Sequence, residues 1–256
     1  MSARLNAYMI CTSPRSGSTL LCRLLAATGC AGLPDSHFHR PELAAWLKAY
    51  GLSHTDFTSN QSALKAIFAA AIERGSGATG LFGLRMQRGS FDFFMQQLTL
   101  LHPDARTDTD RIAAAFGQTR FIHLTRLDKL AQAISLVKAQ QTGLWHRAAD
   151  ASELERTSTP RPPVYDADAI RRAVSEVTEL ESAWTEWFDQ QSISALRITY
   201  EDLSSDATTA LSKVLDALGL DPALAEGIQP PVAQLADATN ADWAGRFRAQ
   251  NGSSGR

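Results

Sequence analysis

The stretch Ala7-Tyr8-Met9-Ile10-Cys11-Thr12-Ser13-Pro14-Arg15-Ser16-Gly17-Ser18-Thr19-Leu20-Leu21 decides the fold of this chain. Its first part, Ala7–Thr12, is a short apolar run of the kind that forms a buried strand. Thr19–Ala27 then carries leucines at helical spacing, which predicts an amphipathic helix. A loop of small polar residues joins the two, so backbone N–H groups and a helix N-terminus point at one spot. The sequence therefore predicts an anion-binding loop between a strand and a helix.

The composition of this loop favours the same interpretation. Gly17 allows the backbone to approach a ligand closely, and Arg15 offers a planar, permanently charged guanidinium. A plain turn with a serine N-cap is the alternative, but it does not explain a cation in a tight turn beside three hydroxyls. The residues predicted to bind the anion are Ser13, Pro14, Arg15, Ser16, Gly17, Ser18 and Thr19.

Strand and helix patterns alternate along the rest of the chain. The further predicted strands are Leu81–Met86, Thr119–Thr125 and Ala195–Tyr200. The further predicted helices are Asp128–Gln140, Asp168–Phe188 and Asp206–Leu218, the last beginning on a capping aspartate and ending at Gly219. This alternation predicts an α/β fold with a central, largely parallel sheet flanked by helices. Ligands of such sheets bind at the carboxyl ends of the strands, where we expect the site.

Two stretches lack a regular pattern and are expected to be loops, namely Gly51–Ser62 and the proline-interrupted Arg147–Pro163. We expect residues 1–250 to form a single domain and residues 251–256 to form a flexible tail.

Charge and cysteine content limit the classes of function. The formal net charge is −2, so nucleic acid is not an expected partner, and an anionic ligand has to be held by local charge. No apolar run approaches the roughly 20 residues that span a bilayer, and no signal-peptide pattern is found. Cys11, Cys22 and Cys30 are odd in number and are expected to be reduced thiols, as in a cytoplasmic protein.

The loop alone does not identify the anion that it binds. A nucleoside-triphosphate loop would read G-x-x-x-x-G-K-[ST], but Ser18 stands where that motif has Lys. Asp128 is the nearest candidate for a metal-binding aspartate, and it lies past Arg126 at a helix start. His37-x-His39 lacks a third ligand at suitable spacing, so no metal is expected. A small-molecule kinase with a degenerate P-loop and a non-catalytic nucleotide-binding protein remain the alternatives.

The loop resembles the 5′-phosphosulfate loop of sulfotransferases, and most of the chain is similar to the Stf0-type bacterial sulfotransferase family. Other segments that carry the resemblance are residues 27–34, 82–86, 122–126, 141–145, 184–188 and 242–248. The resemblance implies a P-loop-like sulfotransferase fold and 3′-phosphoadenosine 5′-phosphosulfate (PAPS) as the donor. It also implies a carbohydrate or glycolipid hydroxyl as the acceptor, and it raises the possibility of a homodimer.

The resemblance also implies roles for residues outside the loop. In this family an arginine at a strand end and a serine on the next helix bind the 3′-phosphate, and Arg126 and Ser135 match them. A C-terminal segment that closes over the nucleotide is matched by Trp243, Arg246 and Arg248. Arg126 alone is equally compatible with a surface ion pair to Asp128.

The position of the general base departs from the family pattern. Ser36 stands where the family usually has a catalytic Glu, so a neighbouring group has to accept the proton. The candidates are His37 first, because it is adjacent to position 36, His39 second and Asp35 third. In an extended segment His39 would point to the same side as His37, so geometry does not separate the two histidines. Arg85, where the family commonly has Lys, is expected to touch the sulfuryl group or the acceptor. Arg15 is expected to offset charge on the leaving phosphate.

Overall fold

The structure is a computed structural model that describes residues 4–147, 152–229 and 238–252. The strands are β1 (Ala7–Thr12), β2 (Phe82–Gln87), β3 (Thr119–Thr125), β4 (Leu144–Arg147), β5 (Glu153–Arg156) and β6 (Leu196–Thr199). Four of them form one sheet in the order β2-β1-β3-β6, and every pairing in it is parallel. Strands β4 and β5 form a separate antiparallel pair. The predicted α/β fold with a parallel sheet is therefore confirmed.

The helices cover both faces of this sheet. They are α1 (Ser18–Ala27), α2 (Leu43–Ala49), α3 (Asn60–Ser76), α4 (Arg88–Leu101), α5 (Asp108–Phe116), α6 (Lys129–Thr142), α7 (Ala167–Gln190), α8 (Tyr200–Ser205), α9 (Ala207–Ala217) and α10 (Ala238–Gly252). Short 3₁₀ turns lie at His54–Asp56 and Pro222–Ala225.

Strand β1 is the centre of the core, since all six of its residues are buried. Met9 faces an aromatic-rich cluster that includes Phe82 and Trp184, whereas Ile10 faces a cluster with Leu21 and Leu211. This alternation follows from the two-residue period of a strand. Both faces being covered explains why the strand reads as a continuous apolar run.

Helix starts agree with the expected capping chemistry. The side chain of Asp128 accepts a hydrogen bond from the backbone N–H of Ala131 at 2.8 Å, and Asp206 does the same for Thr209 at 2.9 Å. Asp128 is thus the N-cap of α6. Its carboxylate, which was the nearest candidate for a metal ligand in the sequence, is used to cap this helix. Strand β6 ends one residue before the predicted Tyr200, because Thr199 caps α8 and Tyr200 begins that helix.

Two expectations about irregular segments need correction. The stretch Arg147–Pro163 contains strand β5, which pairs with β4 across residues 148–151, and those four residues lie outside the described ones. The stretch Gly51–Ser62 ends inside α3, because Ser59 and Ser62 form a capping box that starts the helix at Asn60. Helix α10 also continues to Gly252, two residues into the predicted tail, whereas residues 253–256 are outside the described part.

Two further observations bear on compartment and chemistry. None of the helices in the described ranges is both long and apolar enough to cross a bilayer. Cys11, Cys22 and Cys30 are free thiols, and burial raises the pKa of Cys22 to about 11. A thiol with so high a pKa stays protonated and is a poor nucleophile.

Candidate active site

A cavity of about 900 Å³ opens at the carboxyl edge of the parallel sheet. Residues that end or follow the four strands all contribute to its wall, namely Arg15 after β1, Gln87 at the end of β2, Arg126 after β3 and Tyr200 after β6. This is the edge at which ligands bind in sheets of this kind.

The loop after β1 is fixed from below by hydrogen bonds. Gln132 donates from Nε2 to the Ser13 hydroxyl at 2.9 Å and to the Pro14 carbonyl at 2.7 Å. The hydroxyls of Thr12 and Ser16 are hydrogen-bonded to each other, and the Trp184 indole donates to the Thr12 carbonyl at 2.8 Å. Ser13 and Ser16 therefore hold the loop together and do not line the cavity.

The rest of the loop forms the floor of the cavity, which is lined by Pro14, Arg15, Gly17, Ser18 and Thr19. Arg15 and Gly17 both have left-handed backbones, with φ of 63° and 88°. The ring of Tyr200 packs on Gly17, where an added Cβ would lie 2.7 Å from its Cδ2 atom. The residue type at position 17 is thus set both by the backbone conformation and by this contact.

Arg15, Ser135 and Arg126 are brought together beside this floor. Arg15 donates from Nε to the Ser135 hydroxyl at 3.0 Å and from Nη1 to the Trp145 carbonyl at 2.5 Å. The Arg126 guanidinium lies 4.3 Å from the centre of the Tyr200 ring, and its Nη1 donates to the Arg15 carbonyl at 3.3 Å. The Arg126 Nε is buried and has no hydrogen-bond partner.

These two arginines form a positive centre without a bound carboxylate. Neither guanidinium is in an ion pair within the described part of the chain, and the Arg126–Asp128 surface pair considered above does not form. Burial and the nearby Arg126 charge lower the pKa of Arg15 to about 10. Such an arrangement is unfavourable until an anion enters it.

Arg85 forms a second polar network at the end of β2. It donates from Nη1 to the Thr19 hydroxyl and from Nε to the Ser36 hydroxyl, both at 2.7 Å. Its Nη2 lies 3.2 Å from an Asp35 carboxylate oxygen, which also accepts from the Ser36 backbone N–H at 2.7 Å. Arg85, Ser36 and Asp35 thus adjoin the loop, and their expected contact with the substrate stays a prediction.

His37 and His39, the two histidines considered as general base, do not face the same cavity. A turn at residues 37–38 breaks the extended backbone on which our same-side expectation rested. His37 is only 7% exposed, its ring centroid lies 5.5 Å from that of Phe82, and its Nε2 is buried without a partner. Burial lowers the pKa of His37. His37 borders only a smaller adjoining cavity of about 330 Å³, whereas His39 lines the large one.

The C-terminal cluster does not reach the large cavity. Trp243 is buried in a third hydrophobic cluster between α6, α7 and α10. The Arg246 guanidinium stacks 3.9 Å from the ring centre of Tyr165, and Arg248 does not line the cavity. Of helix α10, Asn240 alone lines the cavity among the described residues. We expected Trp243, Arg246 and Arg248 at the nucleotide; none of the three lines this cavity, and their contact with the nucleotide stays a prediction.

The structure also brings in residues that the sequence analysis did not single out. His146 lines the cavity with its Nε2 at 3.0 Å from the Thr19 hydroxyl, and Glu155 lines it from the paired strand β5. Both lie on the β4–β5 hairpin, within or beside the stretch that lacked a pattern. In the sequence, the one indication of a role for this hairpin was that His146 directly follows residues 141–145, a segment that carries the family resemblance.

Fold and site together define an α/β protein with a strand–loop–helix segment and nearby arginines that are suited to an anionic ligand. Comparison with known proteins identifies the family within this class. The family model described as Stf0 sulphotransferase matches residues 7–250, and the chain belongs to this family. It is accordingly a sulfotransferase with PAPS as the family's donor, and the kinase and non-catalytic alternatives are set aside.

Two curated relatives match along nearly the whole chain. Trehalose 2-sulfotransferase of Mycobacterium tuberculosis strain Erdman is 29% identical over 98% of this chain and 97% of the relative. Trehalose 2-sulfotransferase of Mycolicibacterium smegmatis is 28% identical over 97% of this chain and 96% of the relative.

Solved structures of sulfotransferase domains are also similar to this chain. The domain from the curacin biosynthetic pathway has 16% identity and a TM-score of 0.47, with coverage of 98% of this chain and 99% of that domain. The domain from the olefin synthase of Synechococcus PCC 7002 has 19% identity and a TM-score of 0.43, with coverage of 95% of each chain.

Proposed function

We propose that the chain transfers the sulfuryl group of PAPS to a hydroxyl of a carbohydrate or glycolipid, within a single domain of residues 1–250. The observation that carries the proposal is the half-buried pair formed by Arg15 of the loop and Arg126 beside it, two cations to which no carboxylate of the described residues is bound. A donor with phosphate groups at both its 3′ and 5′ positions carries negative charge that can pair with both guanidinium groups.

The donor would lie with its 5′-phosphosulfate on Pro14–Thr19 and its 3′-phosphate at Arg126 and Ser135. The backbone amides and hydroxyls of the loop would bind the phosphosulfate oxygens, as at other helix N-termini. The unpartnered Nε of Arg126 supports an anion beside it, because a buried donor without a partner is costly. Arg15 would stabilise charge that develops on the leaving phosphate.

Positive charge for the reaction would come from protein side chains. In the described residues, no three His, Cys, Asp or Glu side chains are grouped so as to hold a metal ion. Arg15, Arg85 and Arg126 all line the cavity, and we propose that they take the part that a cation would play in phosphoryl transfer.

A sugar acceptor is supported by two observations. Both curated relatives are named for sulfation of trehalose. The cavity wall carries polar side chains, among them Asp35, Ser36, His39, Arg85 and, from α10, Asn240. Hydroxyl-rich ligands need such alternating donors and acceptors. A homodimer stays a prediction.

Among the base candidates from the sequence, His39 fits better than His37. His39 lines the cavity, whereas His37 is packed on Phe82 and Tyr50. Asp35 lines the cavity as well, but it already pairs with Arg85 and the Ser36 amide.

Substitution of Arg126 tests the donor assignment. We expect Arg126→Ala to weaken binding of 3′,5′-adenosine bisphosphate by about ten-fold to a hundred-fold, since a charge-assisted contact contributes about 1.5–3 kcal/mol. Adenosine 5′-phosphosulfate lacks the 3′-phosphate and should lose little. Isothermal titration calorimetry measures both ligands.

Arg197→Ala is the matched control, because it removes the same charge from neighbouring strand β6, at an exposed position outside the cavity. It should leave both affinities unchanged. Equal losses for the two ligands in Arg126→Ala would contradict the placement of the 3′-phosphate.

A further inference from the structure

Ser36 stands where the family pattern has a carboxylate, yet another carboxylate lines the same cavity from a different element. Three carboxylates line the large cavity within the described residues, namely Asp35, Glu155 and Glu176. Of these, Glu155 is carried by strand β5, whose pairing with β4 brings it beside the phosphate loop.

Contacts tie Glu155 to the loop. A Glu155 carboxylate oxygen lies 3.5 Å from Nε2 of His146, and this nitrogen lies 3.0 Å from the Thr19 hydroxyl. The same hydroxyl accepts from Arg85 at 2.7 Å. The hairpin itself is held at the loop by the hydrogen bond from Arg15 to the Trp145 carbonyl.

Glu155 also stands at the junction of two cavities. The cavity of about 900 Å³ and the adjoining one of about 330 Å³ share five lining residues, which are Thr19, Asp35, Arg85, His146 and Glu155. Sulfuryl transfer needs the leaving phosphate and the acceptor hydroxyl on opposite sides of sulfur. A group at the junction can therefore face the acceptor while the loop holds the donor.

The Glu155 carboxylate is not neutralised by its nearest partner. Burial, with Arg15, Arg85 and Arg23 nearby, lowers the pKa of His146 to about 3. The imidazole is therefore neutral at pH 7 and is itself a weak base. Asp35 forms an ion pair with the permanent cation of Arg85 at 3.2 Å, whereas Glu155 interacts with the Arg15 cation only from beyond ion-pair distance. His39 has no side-chain hydrogen bond to the loop or to Arg85 in the described structure.

We propose that Glu155 is the general base of this enzyme, in place of the glutamate that Ser36 replaces. The inference rests on the sulfuryl transfer proposed above. The acceptor hydroxyl gives its proton to a Glu155 carboxylate oxygen while its oxygen bonds to sulfur. The bond between sulfur and the 5′-phosphate oxygen breaks, and 3′,5′-adenosine bisphosphate leaves with that electron pair.

Three variants and two readouts test the role of Glu155. Transfer from PAPS to trehalose is followed by mass spectrometry, and binding of 3′,5′-adenosine bisphosphate by calorimetry. Glu155→Gln should lower kcat by about 10²–10⁴-fold, the usual cost of losing a general base, and should leave bisphosphate affinity unchanged. Glu155→Ala should regain part of its rate in added formate, which supplies a small carboxylate.

Glu153→Gln is the matched control, since it removes a carboxylate two residues away on the same strand and outside the cavity, where Glu153 pairs with Arg156. It should keep the wild-type rate. A full rate in Glu155→Gln, or no rescue of Glu155→Ala by formate, would overturn the proposal.

Failure of the acceptor assignment gives a different result. Wild-type protein that binds the bisphosphate but sulfates no sugar would contradict the proposed acceptor. The same variants are then compared in release of inorganic sulfate from PAPS, where water takes the place of the acceptor. An unchanged rate of sulfate release in Glu155→Gln would again overturn the role of Glu155.

Discussion

Gly17 is the residue at which the phosphate loop is most sensitive to side-chain size. In Gly17→Ala the new Cβ would lie 2.7 Å from the Tyr200 ring, on a backbone with φ of 88°. We expect Tyr200 to shift and to carry the stacked Arg126 guanidinium with it. Bisphosphate affinity should therefore fall together with the melting temperature, and calorimetry and thermal unfolding measure the two effects.

Gly29→Ala separates the effect of the Tyr200 contact from the effect of the left-handed backbone. Gly29 has a similar left-handed backbone, with φ of 69°, but an added Cβ meets nothing within 4 Å. It should show only the cost of a left-handed alanine, about 1–2 kcal/mol, with unchanged ligand binding. If both variants lose affinity equally, the Tyr200 contact is not what shapes the loop.

Single residues differ in how well the sequence predicts them. Arg15 and Arg126 could be placed together because each follows a strand of one parallel sheet, and the ends of such strands meet. The exposure of His37 and His39 could not be predicted, since it depends on a turn within the loop. Tyr200 and Glu155 were missed because their roles arise from contacts across the fold.

Helix α10 provides a test at the scale of an element. Arg246 stacks on Tyr165, so it helps to fasten α10 to the segment that precedes α7, and it lies 3.7 Å from Asp242 within α10 itself. We expect Arg246→Ala to destabilise the fold by about 0.5–1 kcal/mol, the usual contribution of an exposed cation–π contact. Calorimetry should show unchanged bisphosphate affinity. A loss comparable to that of Arg126→Ala would return Arg246 to the nucleotide site.

Elements with a strong local pattern were predictable and those without were not. β1 and β3 match their predicted bounds. All of β1 and the middle of β3 are buried, which favours apolar residues there, although His123 interrupts the run in β3. The β4–β5 hairpin was missed, since its strands are four residues each and their register shifts twice. That hairpin holds Glu155, so an element without a local pattern contributes a lining residue of the cavity and the base that we propose.

Buried histidines give the whole molecule a pH dependence. His123 packs on Phe188, and burial, with Arg197 and Lys129 nearby, lowers its pKa to about 4. The unfolded chain, with a histidine pKa of about 6.5, then binds more protons than the native state between these values. The contribution to stability is present above pH 6.5 and is lost as pH falls towards 4. Urea unfolding should show a loss of about 1–2 kcal/mol from His123 between pH 7 and pH 5.

The variant His123→Phe should flatten part of this slope, because it removes the titrating group and keeps an aromatic ring against Phe188. His54→Phe alters an exposed histidine and should leave the slope as it is in the wild type. A slope that is the same in all three proteins would show that His123 does not titrate on unfolding.

The position of β1 at the centre of the sheet has a consequence for how the protein folds. Ala7, near the start of the chain, pairs with Phe82 on one side and with Thr119 on the other. Contacts so far apart in sequence are formed late and slow the search for the native topology. The loop that follows β1 acquires Arg126 only when the second pairing is complete. The nucleotide therefore binds the native state and not the folding transition state. Added nucleotide should slow unfolding and leave the folding rate unchanged.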